Sequence, residues 1–145
     1  MNTINFYNES RQEVMIFSNF SVQKNEPNFD NFVSFTVNVN YANFKGTIVT
    51  ECLQADIENL FRDLQKMYNF KIQTILFIPN IEKQIGLKFN LLENGYIKVA
   101  VELLQNIFGN NIYTAKLQFE YGINQSFLPE LIGEFSTVLA NANFK

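Results

Sequence analysis

The chain has 145 residues, 47% hydrophobic and 17% charged, a balance that excludes intrinsic disorder and suits one hydrophobic core. Its net charge is −3 and its 11 basic residues are scattered singly, which disfavours direct nucleic-acid binding through a basic stripe. A single cysteine excludes an intramolecular disulfide, and the absence of histidine excludes Ser-His-Asp or Cys-His catalysis and imidazole-based zinc ligation.

Residues Met1–Tyr7 lack the basic start and long apolar run of a signal peptide. No apolar stretch approaches the ~20 residues of a membrane helix, so the expected setting is the cytosol. Phe is unusually common, at 16, and Trp is absent, which suggests an aromatic core held by strands.

Ile4–Tyr7 and Glu13–Val22 read as strands split by the polar turn Asn8–Gln12. Gln23–Asn31 reads as a loop from its Asn, Asp and Pro content. The clearest strand follows: Phe35, Val37, Val39 and Tyr41 alternate with Ser34, Thr36, Asn38 and Asn40, one set facing the core and the other water. A turn at Ala42–Asn43 leads to Phe44–Leu53, its expected antiparallel partner. The period then changes. Leu53, Ile57, Leu60, Phe61, Leu64, Met67 and Tyr68 form an apolar stripe on a helix, with Asp56 and Glu58 in its first turn, Lys66 near its end and Asn69 as its stop.

Strand patterns return at Lys71–Ile78 and break at Pro79–Asn80. Gln84–Leu92 and Tyr96–Leu104 alternate on either side of Asn94–Gly95, a hairpin signal because both positions tolerate positive φ. Gln105–Asn111 reads as a loop and Ile112–Tyr121 as the last strand. Phe127, Leu128, Leu131, Ile132, Phe135, Val138 and Leu139 mark a second helix, with Ser126 as its cap and Pro129 in its first turn. The order strands, helix, strands, helix predicts one α+β domain over residues 1–145, a single antiparallel β-sheet with two amphipathic helices packed on one face.

Few residues offer chemistry. Cys52 sits among apolar neighbours and reads as a core thiol. The six glycines show no phosphate-binding spacing. Two carboxylate pairs remain for glycosidase-like catalysis, Glu102 with Glu120 and Glu51 with Asp56, with solvated surface or a helix cap as the simpler reading. The many phenylalanines allow an apolar ligand cavity under the sheet, with plain core as the simpler reading. The polar strip of Ser34, Thr36, Asn38 and Asn40, extended by Lys116, Gln118 and Glu120, offers a docking platform or an ordinary wet sheet face.

Several marks occur in a fixed order: Asp30-Asn31-Phe32-Val33 before the alternating strand, Phe44-Lys45-Gly46 in its partner, and the Leu60, Leu64, Tyr68 stripe. Gly95-Tyr96-Ile97-Lys98-Val99 follows, then Leu117-Gln118-Phe119-Glu120 and Asn124-Gln125-Ser126-Phe127-Leu128-Pro129. In these the chain resembles the WapI-type immunity proteins from about Ile4 onward. Tyr96 stands where that family commonly has His, and Asn124 and Ser126 where it has Asp and Thr. The resemblance implies a bacterial antitoxin that binds the toxic C-terminal domain of a cognate secreted or wall-associated toxin, often a nuclease. It implies no enzymatic activity and no cofactor, and leaves monomer or weak dimer open. The expected partner-binding residues are Ser34, Thr36, Asn38, Glu102, Lys116, Gln118 and Glu120, with the loops Gln23–Asn31 and Gln105–Asn111 as the other possible interface. The competing readings are a small-ligand or lipid-binding module, a carboxylate-based enzyme and an interaction domain for some other protein.

Overall fold

A computed structural model describes residues 2–79, 82–141 and 144. Among the described residues, eight strands and two α-helices follow in the order β1 (Ile4–Tyr7), β2 (Glu13–Gln23), β3 (Phe32–Tyr41), β4 (Phe44–Leu53), α1 (Gln54–Tyr68), β5 (Thr74–Phe77), β6 (Ile85–Leu91), β7 (Tyr96–Phe108), β8 (Ile112–Asn124) and α2 (Leu128–Leu139). Every strand pairs antiparallel with its neighbour in sequence, except across α1.

That exception overturns the single sheet expected from the sequence. The strands form two four-stranded sheets, β1-β2-β3-β4 and β5-β6-β7-β8. The physical reason is coverage. An eight-stranded sheet would be roughly 38 Å wide at ~4.8 Å per strand. Two helices side by side cover only about 20–24 Å. Two facing sheets instead hide each other's apolar sides. Nor do the helices share one sheet face. They pack on each other, with α2 against β1 and α1 against β5 and β4, all of them edge strands.

The inward residues of both sheets and both helices belong to one buried cluster. In the first sheet the rings of Phe6, Phe17 and Phe35 follow one another at 4.8 and 5.0 Å. Tyr41 of β3 joins the sheets, its ring 5.3 Å from Phe119 and 6.2 Å from Tyr121 of β8. Gly46 allows a second close approach: a Cβ there would stand 3.0 Å from Cδ2 of Leu117. The alternation in β3 places its residues as expected, with Phe35, Val37 and Val39 buried.

The α1 stripe buries Ile57, Leu60, Leu64 and Met67. Its first turn is capped partly by residues distant in sequence. Asp30 accepts from the Ala55 N–H at 2.9 Å, and the Asn31 carbonyl accepts from the Gln54 N–H at 2.9 Å. Asp56 reaches back to the Leu53 N–H at 3.0 Å. The helix ends at the expected stop, with Asn69 as its C-cap, in a Schellman arrangement: the Phe70 N–H donates to the Met67 carbonyl and the Lys71 N–H to the Lys66 carbonyl, with Phe70 at φ 59°.

Other boundaries moved. β5 covers only Thr74–Phe77, and Asn80, part of the expected break, lies outside the described residues. Asn94 and Gly95 both take positive φ in the β6–β7 turn, as expected. Ser126 does not cap the second helix. β8 runs on to Asn124, whose side chain accepts from the Ser126 N–H at 2.9 Å and starts a short 3-10 turn before α2. Pro129 does lie in the first turn of α2. The expected loop Gln105–Asn111 is mostly strand, because β7 continues to Phe108 and pairs with Ile112–Ala115.

Phe70 is one of six non-glycine residues with positive φ among the described residues. A side chain in the left-handed region costs roughly 1–2 kcal/mol, and the ring is 65% exposed, so little packing offsets that. Glycine removes the strain and gives back about 0.5–1 kcal/mol through its unfolded-state freedom. Phe70→Gly is therefore expected to raise stability by about 0.5–1 kcal/mol in urea denaturation; a lower midpoint would mean that the ring's contacts outweigh the strain.

Candidate functional site

Alternation along β5–β8 turns Leu76, Gly86, Lys88, Lys98, Ala100, Glu102, Lys116, Gln118 and Glu120 away from the core, while Leu87, Val99, Val101 and Tyr121 turn inward. The register sets their neighbours. Glu102 lies opposite Gln118, Ala100 opposite Glu120, and Leu104 opposite Lys116. Two diagonal ion pairs cross this face: Lys98 Nζ to Glu120 Oε2 at 2.7 Å and Lys116 Nζ to Glu102 Oε2 at 3.3 Å. The Glu120 carboxylate raises the Lys98 pKa, first by hydrogen bond and then by charge. All four side chains are substantially exposed, so water screens each pair and it adds little to stability. Their alternating signs form a charge pattern that a partner can read.

Beside this pattern lies a shallow trough of about 200 Å³. Its floor holds the small residues Gly86 and Ala100. Leu76 and Ile78, 62% and 54% exposed, stand on the β5 side and Glu102 and Gln118 on the β7–β8 side, with Lys88 between Leu76 and Ala100. The volume is below the ~300 Å³ at which drug-sized ligand pockets begin. It suits one or two side chains of another protein.

The seven expected binding residues divide between two surfaces. Glu102, Lys116, Gln118 and Glu120 come together on the outer face of the second sheet. Ser34, Thr36 and Asn38 lie on the outer face of the first, opposite Glu51, Val49 and Thr47. There Thr47 Oγ1 donates to Asn38 Oδ1 at 2.7 Å, and Asn19 Nδ2 to Thr36 Oγ1 at 3.4 Å. The inner faces meet at Tyr41 and Phe119, so the two outer faces look away from each other and do not form one strip. Sequence reasoning missed Leu76, Ile78, Lys88 and Lys98. Ile75 to Ile78 is apolar at every position, so alternation gave no sign of which side chains were wet.

The carboxylate pairs do not assemble as acids. Glu102 and Glu120 each bind a lysine, and Asp56 is occupied as a cap. Cys52 is fully buried in β4. Desolvation first, then the Asp56, Glu51 and Asp30 carboxylates, push its thiol pKa well up, so the nucleophilic thiolate is suppressed. Among the described residues, no three His, Cys, Asp or Glu side chains are grouped to hold a metal. No helix among them is long and apolar enough to cross a membrane.

The profile of the Immunity protein WapI-like family matches residues 12–143. The chain belongs to this family. No curated protein and no solved structure shows significant similarity to it. Several of the marks through which the chain resembles WapI-type proteins have scaffold roles here. Asp30 and Asn31 cap α1, Gly46 admits Leu117, and Gly95 makes the β6–β7 turn. Tyr96, where the family commonly has His, reaches across the strand pair onto Gly122, where a Cβ would stand 1.8 Å from its hydroxyl oxygen. The charge pattern and trough belong to the outer face of the second sheet.

A thiol reagent at pH 8 is expected to leave Cys52 unmodified in the native protein and to label it fully in denaturant. Rapid native labelling would show that β4 opens far more readily than its burial indicates.

Proposed function

We propose that the chain is an immunity protein that binds and neutralises the C-terminal toxic domain of a cognate secreted or wall-associated toxin in the cytoplasm. The observation that carries this reading is the family match over residues 12–143. The outer face of β5–β8 supports it as the docking surface, with Glu102, Lys116, Gln118 and Glu120 at its centre and the trough beside them. The outer face of the first sheet, with Ser34, Thr36 and Asn38, is the alternative surface.

In this reading the activity is steric and electrostatic. Any free toxin is harmful, so the complex must be nanomolar or tighter, about −12 kcal/mol. A nuclease is the toxin class the resemblance implies, and such domains are basic. The net charge of −3 gives modest steering towards a basic partner. Specificity then rests on the local arrangement of Lys98, Glu120, Lys116 and Glu102, which a partner must match sign for sign.

Co-expression with the C-terminal domain of the large toxin encoded beside this chain is expected to restore growth, and the pair should co-elute on gel filtration. Absence of both rescue and complex would reject the proposal. Charge reversal of Glu102 and Glu120 to Lys is expected to weaken the complex at least about 10-fold, with dissociation faster. Unchanged affinity would move the interface to another surface.

A further inference from the structure

Beyond Leu103 the hairpin of β7 and β8 leaves the sheet. The last pairing with β6 joins Ile85 to Leu103, and only the Leu104 N–H bond to the Gln84 carbonyl extends it. From Gln105 to Ala115 the two strands pair only with each other among the described residues, and every residue is exposed. The projection is about 14 Å long at ~3.4 Å per residue. Its end is apolar on both sides. Phe108 and Ile112 are paired, at 75% and 68% exposure, and Ile107 and Tyr113 are paired, at 53% and 62%. Period-two alternation puts the first pair on the outward face of the sheet and the second on the reverse.

We infer that Gln105–Ala115 is an insertion arm that enters an uncharged, apolar-lined cleft on the toxic domain. The inference rests on the proposed immunity function and names the part of the surface that supplies most of the affinity. Three properties identify the occupant as a folded protein. No ionised side chain lies between Gln105 and Ala115, so the arm has nothing to pair with phosphates, and the Lys/Arg border of a membrane-surface element is missing. The four large side chains expose on the order of 500 Å² of mostly apolar surface, against ~800 Å² per partner in a standard interface. That area is comparable to the largest apolar patch of a typical monomer. The outer edges of the arm also leave backbone N–H and C=O groups unpaired, and a polypeptide strand can satisfy them.

The arm is continuous with the proposed docking face. Lys116, paired with Glu102, stands at its root, and Phe108 and Ile112 extend the same outward side. A partner gripping the arm therefore also meets the ion-pair pattern.

The test uses the full chain and the purified C-terminal domain of the toxin encoded beside it. Two double variants are made, Phe108→Ser with Ile112→Thr and Ile107→Thr with Tyr113→Thr, one for each side of the arm. All four side chains are exposed, so thermal midpoints should stay near that of the parent. Dissociation constants are measured by calorimetry, and the oligomeric state of the chain alone by sedimentation. The expected result is tight binding by the parent and at least a 100-fold weakening in both variants. Parental binding with unchanged affinity in the folded variants would overturn the arm and leave the immunity function standing. No binding by the parent would overturn both. A parental dimer that the variants dissolve, with toxin affinity unchanged, would make the arm a contact between copies and overturn the inference.

Discussion

Everything in this molecule follows from one coverage problem. Each sheet has an apolar face that must leave water, and each solves the other's need. Tyr41 on Phe119 and Tyr121, and Leu117 against the bare backbone of Gly46, are the points where the two meet. The helices then close the remaining gaps at edge strands. With burial worth roughly 25 cal/mol per Å² of apolar area, this shared interior outweighs the ion pairs, which are exposed and individually weak.

Much of this was legible in the sequence at the level of single elements. Alternation in Phe35, Val37 and Val39 located β3 and its buried face, and the three-to-four spacing of Ile57, Leu60, Leu64 and Met67 located α1. Pairing between elements was not legible. Alternation states which side of a strand is apolar and is silent on which surface will cover that side. A run such as Ile75–Ile78 hides even that. The outer end of β7 was missed for a related reason. Gln105–Phe108 shows no alternation because neither side of it is buried within this chain.

The same limit divided the expected site. Ser34, Thr36 and Asn38 were correctly read as facing water, and so were Lys116, Gln118 and Glu120. Polarity assigns a residue to the outside, and only the topology says which outside. Residues with a strong local signal, such as Asp30, Gly46 and Gly95, turned out to hold caps, close approaches and turns. Those tasks shape the backbone and leave the exposed positions free to vary without disturbing it.

The distribution of surface chemistry separates affinity from selectivity. The Lys98–Glu120 and Lys116–Glu102 pairs satisfy each other in the free protein. A partner that engages them exchanges one set of charge contacts for another, with little net gain but a large penalty for a mismatch. Such a face discriminates well and binds weakly. The arm has the opposite character: its apolar surface gains by leaving water whatever the partner's charge. An exposed edge of this kind is a liability in a free monomer, and proteins usually blunt it with lysine, proline or a bulge. Here none of these stands between Gln105 and Ala115, and the register of β7 on β8 is unbroken to Phe108. In the proposed immunity function, an unblunted hairpin beside a self-neutralised charge pattern would divide the labour, the apolar end gripping and the polar floor selecting.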